Sequence, residues 1–163
     1  MSILTKPELR KSMNKILKTI SQSSRMTQSN AILESLREIP EYQNARRVGV
    51  FLSMKNEVET RPILDDCTAN QRSIVVPKIT SDTEFEFVML ESSETIDSLP
   101  LDKWGIPIPV YDEVHRMLLH PEYTPEVIIV PGVAFDASCQ RMGHGKGYYG
   151  MQCHKYSHSR SLF

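Results

Sequence analysis

Paired cysteines, long apolar runs and an excess of charge of one sign are all missing from this sequence of 163 residues. The three cysteines, Cys67, Cys139 and Cys153, lie far apart without a CxxC pair, which argues against a structural zinc site and a disulfide scaffold. Because 19 basic and 20 acidic residues nearly cancel, no positive field attracts DNA or RNA. Nucleic acid is therefore not a favoured partner.

Membrane and export signals are also lacking. No apolar run approaches the length needed to cross a bilayer, and the first residues have no apolar core of a secretory signal. We therefore predict a cytoplasmic protein without a membrane partner, and the sequence leaves a mitochondrial location open. The length suits one domain, and 40% hydrophobic with 24% charged residues is an ordinary globular composition.

Helical patterns occupy the first 40 residues. Thr5 and Glu8 form a capping-box pattern, and apolar residues then recur at helical spacing as far as Ile20, giving one apolar stripe. A second helix is predicted over Thr27–Arg37, and Pro40 closes the region. The residues of that helix predicted to face inward are Ile32, Leu33 and Leu36.

Short apolar segments rich in β-formers follow, with one helical segment over Pro62–Asn70. The predicted strands are VGVFLS from Arg47, Ser73–Pro77, Glu84–Leu90 nearer an edge, and Pro125–Val130. This alternation predicts an α/β fold, a three-layer α/β/α domain with a central, largely parallel sheet. Ligands of such sheets bind beyond the carboxyl ends of strands, which indicates the loop SMKNEVET and the glycine-rich stretch after the last strand.

The glycine-rich stretch Arg141–Tyr149, RMGHGKGYY, has the chemistry of a loop that binds a polyphosphate. Its alternating glycines let backbone N–H groups approach an anion closely. Arg141 can hold phosphate oxygens with its planar fork, and Lys146 adds a compact charge. If a helix begins at Tyr148, its N-terminus adds a favourable partial charge. A simple flexible turn is the plainer interpretation of GxGxG, and the flanking cations and tyrosines favour a phosphate site.

Two nucleotide-binding motifs nearly match this stretch, and both are rejected. Residues 145–150 satisfy GxGxxG, but a dinucleotide fold needs another strand and an acidic residue about twenty positions later, and the chain ends at residue 163. The P-loop pattern fails because Gln140 stands at its first glycine and Gly147 at its Ser or Thr.

The longer run Pro131–Tyr149, PGVAFDASCQRMGHGKGYY, resembles the signature of the 5-formyltetrahydrofolate cyclo-ligase family, also called methenyltetrahydrofolate synthetases. Agreement in KPELRK, FLSMKNEVET and KWGIPIP extends the resemblance over about residues 4–149. The resemblance implies an α/β monomer that uses Mg²⁺, ATP and a folate substrate in one-carbon metabolism. In this family ATP phosphorylates the formyl oxygen of 5-formyltetrahydrofolate, the neighbouring nitrogen attacks the activated carbon, and 5,10-methenyltetrahydrofolate forms with release of ADP and phosphate.

The resemblance also implies roles for single residues near the nucleotide. Lys6 and Arg10, at i,i+4 spacing on the first helix, match a basic pair that reaches the phosphates. Arg141 and Lys146 are expected to be catalytic. The residues expected to hold ATP in the loop are Arg141, Gly143, His144, Gly145, Lys146, Gly147, Tyr148 and Tyr149, and those from His144 to Tyr148 are also expected to touch the folate.

On the folate side, Glu57 matches an acidic residue whose carboxylate accepts hydrogen bonds from the pterin ring. The walls of the pterin pocket are expected to be Leu52, Met54, Trp104 and Tyr149. Because Met and Trp are equally common as core residues, a purely structural role stays open for them.

Two departures from the family pattern bear on activity. Family members usually carry a magnesium-binding aspartate directly after the double tyrosine, and here Gly150 offers no side-chain oxygen, so no residue is assigned as a metal ligand. The tail MQCHKYSHSRSLF lacks apolar periodicity. We therefore predict a cyclo-ligase-like domain over residues 1–149, incomplete at its C-terminus, and a divergent, disordered tail over 150–163.

Three functions are therefore compatible with the sequence. The first is an active cyclo-ligase, and the second is a truncated member that binds nucleotide or folate without turnover. The third is a sugar-phosphate or acyl-transfer enzyme of similar architecture. That third hypothesis is the weakest, because Cys139 has only His144 as a nearby histidine partner.

Overall fold

The structure is a computed structural model that describes residues 4–81, 84–90, 93–102, 105–108, 124–150 and 160–162. Its helices are α1 (Lys6–Leu17), α2 (Gln22–Arg37), α3 (Pro40–Asn44) and α4 (Arg61–Ala69), with a 3-10 helix at Ser93–Ser98. Its strands are β1 (Arg47–Val50), β2 (Ser73–Ile79), β3 (Phe85–Leu90), β4 (Val127–Ile129), β5 (Ala134–Phe135), β6 (Arg141–Met142) and β7 (Arg160–Leu162). None of the helices in these ranges is long and apolar enough to span a membrane.

A five-stranded sheet in the order β3-β2-β1-β4-β7 forms the centre of the fold. The pairs β1–β2, β1–β4 and β4–β7 are parallel, and β3 runs antiparallel to β2 at one edge. The predicted α/β class with a largely parallel sheet is therefore confirmed, as is the edge position of the third strand. The hairpin β5–β6, which the sequence did not predict, is a separate two-stranded sheet.

The two faces of the central sheet carry different cores, because successive side chains of a strand point to opposite sides. On one face, residues of α2, α3 and α4 such as Leu36, Tyr42 and Leu64 pack against alternate residues of the strands. The other face carries a smaller apolar cluster, whose buried members are Val75, Phe85, Phe87, Ile128 and Val130. Tyr148 and Tyr149 pack against this second cluster, so the end of the glycine-rich loop is part of the fold.

Helix α1 begins with the predicted capping interaction but does not contribute to the core. The carboxylate of Glu8 accepts hydrogen bonds from the backbone N–H and the hydroxyl of Thr5, at 2.8 and 2.7 Å. These bonds lower the pKa of Glu8. No residue of α1 is buried by the described part of the chain, and Leu9 and Ile16 are 36% and 51% exposed. The other stripe residues, Met13, Leu17 and Ile20, are half-buried, so the apolar stripe of α1 is only partly covered by the described residues.

Helix α2 differs from its prediction in two ways. It starts at Gln22 rather than at Thr27, because the Ser21 hydroxyl accepts a hydrogen bond from the Ser24 N–H and caps a polar first turn that lacks apolar periodicity. Ile32, predicted to face inward, is 38% exposed. The buried residues of α2 are Ser29, Leu33 and Leu36. This line of i, i+4 and i+7 positions places Ile32 beside the interface rather than within it.

Pro40 and the C-terminal tail also differ from their predictions. Pro40 begins the short helix α3 as well as following the end of α2, and a first-turn proline suits a helix start. Residues Arg160–Leu162, in the segment predicted to be disordered, form β7 on the open edge of β4. Strand pairing uses backbone groups, so a segment without an apolar pattern can still add to a sheet. The division of the chain at residue 149 stays a prediction.

A polar network is buried beneath the first face of the sheet. The carboxylate of Asp66, 3% exposed, accepts hydrogen bonds from the Tyr42 hydroxyl and from Arg37, both at 2.8 Å. The Arg72 guanidinium lies 3.9 Å from the same carboxylate and 4.6 Å from the centre of the Tyr42 ring. Burial raises the pKa of the neighbouring Cys67 thiol to about 11. Cys67 is therefore a neutral core residue and not a nucleophile.

Candidate active site

The hairpin β5–β6 leads into the glycine-rich loop, and Asp136 shapes its turn. The Oδ1 atom of Asp136 accepts the N–H groups of Ser138 and Gln140 at 2.8 and 2.9 Å. Cys139, in the same turn, has a positive φ of 58° and is exposed. Asp136 thus holds the turn with its carboxylate, a role that the sequence did not reveal. Gly132 precedes the hairpin, and a Cβ there would lie 2.4 Å from the Phe135 ring.

Arg141 is fixed at the mouth of the loop by contacts on two sides. Its Nη1 donates to the Pro131 carbonyl at 2.8 Å, and its guanidinium carbon lies 5.7 Å from the centre of the Tyr149 ring. A Cβ on Gly143 would lie 2.9 Å from Nη1, so the loop backbone passes directly beside the guanidinium. The structure therefore places the guanidinium of Arg141, a predicted phosphate-binding cation, next to the glycine backbone of the loop.

The loop itself adopts a backbone that glycine favours, and α1 contacts it. Gly145 and Gly147 have φ angles of 109° and 77°, in the left-handed region. Arg10 donates from Nε to the Gly143 carbonyl at 2.9 Å, across a sequence separation of 133 residues. Lys6, one turn earlier on α1, is exposed, and its side chain forms no hydrogen bond or ion pair with the described residues. The structure thus places Arg10 on the loop and shows no contact between the Lys6 side chain and the loop within the described chain.

The loop after β1, residues 51–60 (the β1 loop), meets the glycine-rich loop through a contact between Glu57 and His144. The Nε2 atom of His144 lies 3.1 Å from Oε1 of Glu57, whose side chain is only 11% exposed. The other oxygen of Glu57 accepts the Met54 N–H at 2.9 Å. These were the two loops indicated by the strand-end rule, and the structure joins them although the two residues are 87 positions apart.

The aromatic and apolar residues assigned to the pocket serve the core as well. Tyr149 packs 5.0 Å from the ring of Phe85, and Lys146 Nζ lies 5.9 Å from the centre of the Tyr148 ring. Leu52 is buried in the first core and also lines a cavity of about 190 Å³ beside the β1 loop. Met54 is half-buried, and Trp104 lies outside the described residues. Residues 148–150 are helical, so the condition for a partial charge from a helix N-terminus at Tyr148 is met.

Protein ligands for a metal ion are scarce around this loop. Over the ranges that the structure describes, no group of three or more His, Cys, Asp or Glu side chains is placed to hold an ion. Asp136 is engaged in its turn, and Glu57 is engaged with Met54 and His144. Among the described residues, no atom lies within 4 Å of a Cβ added at position 150. The carboxylate set that Mg²⁺ prefers is therefore not provided by these residues.

Sequence reasoning missed the side chains that hold the β1 loop. Ser53 and Thr60 join its two ends, and Ser29 and Arg25 of α2 contact Glu59. One signal was available, because Ser29 falls on the inward line of α2 with Leu33 and Leu36. A buried serine at a core position of a helix requires a hydrogen-bond partner.

Comparison with known proteins places these features in a family. A model of the 5-formyltetrahydrofolate cyclo-ligase family matches residues 3–161. A probable 5-formyltetrahydrofolate cyclo-ligase of Schizosaccharomyces pombe is 35% identical over 154 residues, covering 94% of this chain and 74% of that protein. The Mus musculus 5-formyltetrahydrofolate cyclo-ligase is 33% identical, covering 86% and 70%. The NMR structure of Aquifex aeolicus 5,10-methenyltetrahydrofolate synthetase matches with a TM-score of 0.73 and 27% identity, covering 98% and 75%.

Proposed function

This chain belongs to the 5-formyltetrahydrofolate cyclo-ligase family, and we propose that it converts 5-formyltetrahydrofolate to 5,10-methenyltetrahydrofolate with ATP as phosphoryl donor. The observation that carries the proposal is the meeting of three elements at one place. Arg10 of α1, the loop from Arg141 to Tyr149, and Glu57 of the β1 loop are joined there by the bonds to Gly143 and His144. A basic, glycine-lined surface thus lies beside a single carboxylate.

The basic part of the site suits the ATP phosphates. Backbone N–H groups at Gly145 and Gly147 can approach phosphate oxygens without interference from a Cβ. We assign Lys6, Arg10 and Lys146 to the phosphate chain, and Arg141 with Lys146 to the phosphoryl group in transfer. Catalysis of phosphoryl transfer rests on positioning and on neutralising developing charge, which fixed cations provide.

The acidic part of the site suits the folate. We assign Glu57 to the N–H and amino donors of the pterin ring, with Leu52, Met54 and Trp104 as apolar walls. In the proposed reaction the formyl oxygen takes the γ-phosphoryl group and ADP leaves. The neighbouring nitrogen, which lies outside the pterin ring, then attacks the formyl carbon, its proton is lost, and the formyl oxygen departs as phosphate. Both steps of this reaction require the two substrates to be held close together, and the two joined loops can do this.

Magnesium does not fit the described side chains as a protein-bound ion. Gly150 lacks a side chain, and the part of the chain that the structure describes contains no suitable cluster of carboxylates. We propose that Mg²⁺ arrives on the nucleotide, held by phosphate oxygens and water, as Mg²⁺ commonly is. The assignments above are made to side chains and backbone groups alone.

Gly150→Asp is expected to lower the Mg²⁺ concentration that gives half-maximal activity by about tenfold, because a carboxylate beside the loop adds one oxygen ligand. The described residues leave room for the new side chain, since none of their atoms lies within 4 Å of the added Cβ. The measurement is a magnesium titration of activity at fixed ATP. Gly150→Asn is the matched control for size and shape, and an equal shift in both variants would contradict a role for the charge.

The proposed activity is tested by incubating the chain with 5-formyltetrahydrofolate, Mg²⁺ and ATP and following the methenyl product by absorbance. We expect ATP-dependent product from folded protein. Lys146→Ala is expected to weaken ATP binding about tenfold and folate binding much less, because the loss of one compact charge affects mainly the phosphates. Lys146→Arg keeps the charge and serves as its control. Equal losses for both ligands would contradict the assignment.

The second candidate is a member of the family that binds nucleotide or folate without turnover. The observation that favours it is the side-chain-free position 150 together with the absence of a carboxylate cluster among the described residues. Titration calorimetry with ATP and with 5-formyltetrahydrofolate separates the two candidates. Binding of both ligands without any ATP-dependent product supports the second candidate over the first.

A further inference from the structure

The β1 loop, residues 51–60, contains no helix or strand and yet carries Glu57. Such a segment cannot obtain its shape from a backbone ladder, so side-chain hydrogen bonds must hold it. Its two ends are tied by Ser53 and Thr60, whose hydroxyl oxygens lie 2.8 Å apart, while the Thr60 N–H donates to Ser53 Oγ at 2.7 Å. Thr60 is 2% exposed, so this tie is anchored at a buried residue.

A second attachment connects the loop to α2. The Ser29 hydroxyl donates to the Arg25 carbonyl at 2.8 Å and accepts the Glu59 N–H at 2.9 Å. Arg25 Nε also lies 3.1 Å from the Glu59 carboxylate, and its side chain is only 14% exposed. Ser29 itself is fully buried. One residue of the loop is thus held by both its backbone and its side chain.

These contacts lie two residues from Glu57. The Glu57 carboxylate is oriented by the Met54 N–H, and the Glu57 N–H donates to the Met54 carbonyl at 3.0 Å. The short turn from Met54 to Glu57 can therefore move as a unit unless its flanks are fixed. Ser53 fixes one flank, and Glu59, through α2, fixes the other.

We propose that Ser29 and Arg25 are positioning residues for the folate half of the site, acting through Glu59 to set the location of Glu57. The proposal rests on the proposed function only in taking folate as the ligand of Glu57, because the attachment of the loop to α2 is a property of the free protein. Neither Ser29 nor Arg25 is assigned a contact with a substrate, and both act on the loop through Glu59. Their effect is expected on the KM for folate and not on ATP.

Ser29→Ala is expected to raise the KM for 5-formyltetrahydrofolate on the order of tenfold, since a small displacement of a binding group has effects of this size or larger. The KM for ATP and kcat are expected to stay within about twofold of the parent values. Ser35→Ala is the matched control. Ser35 lies on the same helix and also donates to the carbonyl four residues earlier, at 3.0 Å, but it is exposed. Equal effects from both variants, or equal changes for both substrates, would overturn the proposal.

Arg25→Met and Arg25→Lys give a second route that does not introduce a change at a fully buried position. Arg25→Met is expected to raise the folate KM several-fold, and Arg25→Lys, which keeps a cation near Glu59, to restore most of the loss. If both variants leave the folate KM unchanged, the ion pair does not position the loop.

Hydrogen exchange separates a failure of this proposal from a failure of the proposed function. Amide exchange in residues 54–60 is expected to rise about tenfold in Ser29→Ala and to stay unchanged in Ser35→Ala, whether or not the protein turns over folate. Unchanged exchange in both variants would refute the anchoring by α2. Increased exchange in a protein that binds neither ATP nor folate would uphold the anchoring and refute the proposed ligands.

Discussion

Glu57→Gln is expected to raise the KM for 5-formyltetrahydrofolate about tenfold to a hundredfold while the affinity for ATP stays unchanged. A hydrogen bond to a charged acceptor contributes about 1.5–3 kcal/mol, and each 1.4 kcal/mol corresponds to about a factor of ten. Glutamine keeps the size of Glu57 but replaces one acceptor oxygen by a donor group, which opposes the donors of a pterin ring. Steady-state kinetics in both substrates measures the effect.

The control for Glu57→Gln is Glu38→Gln, the same change at the exposed C-cap residue that follows α2. It is expected to leave both KM values unchanged. An increase in the ATP KM as large as the increase in the folate KM would mean that Glu57 acts through the glycine-rich loop. Because Glu57 contacts His144 of that loop, such an effect on ATP is physically possible. The measurement therefore distinguishes a role of Glu57 in folate binding from a role in supporting the glycine-rich loop.

Asp66→Ala is expected to lower the free energy of unfolding by about 3 kcal/mol, because removing one partner of a buried ionic network leaves the others without compensation. The Asp66 carboxylate is 3% exposed and accepts hydrogen bonds from Tyr42 and Arg37. Since Arg37 is itself half-exposed, its charge can recover some hydration, which keeps the loss at the lower end of the usual range. Urea denaturation followed by circular dichroism measures the change.

Asp65→Ala is the matched control, one residue earlier on α4. Asp65 is half-exposed and pairs with Arg61 at 2.8 Å, so its removal is expected to cost no more than about 1 kcal/mol. Similar losses in the two variants would show that helix α4 responds to any loss of an acidic residue. The buried network would then not be a separate source of stability.

The cytoplasmic location, the monomeric state and the roles of single site residues stay predictions. Family membership, which the run Pro131–Tyr149 indicated, is confirmed by the family match over residues 3–161. The α/β class is confirmed by the sheet order. The capping pair Thr5–Glu8 was also correct. Each of these features depends on residues close together in the chain, where side-chain chemistry alone constrains the backbone.

By itself, then, the sequence determined the order of the longer helices α1, α2 and α4 and of the strands β1 to β4, and it indicated two candidate ligand loops from the chemistry of their side chains. The tertiary structure decided which distant groups meet: Arg10 with Gly143, His144 with Glu57, and Ser29 with Glu59. It also decided that the stripe of α1 is only partly covered by the described residues and that residues 160–162 pair with β4. Apolar periodicity indicates which face of a helix is apolar, but it does not show which residues pack against that face. Backbone pairing at a sheet edge is largely independent of side-chain identity.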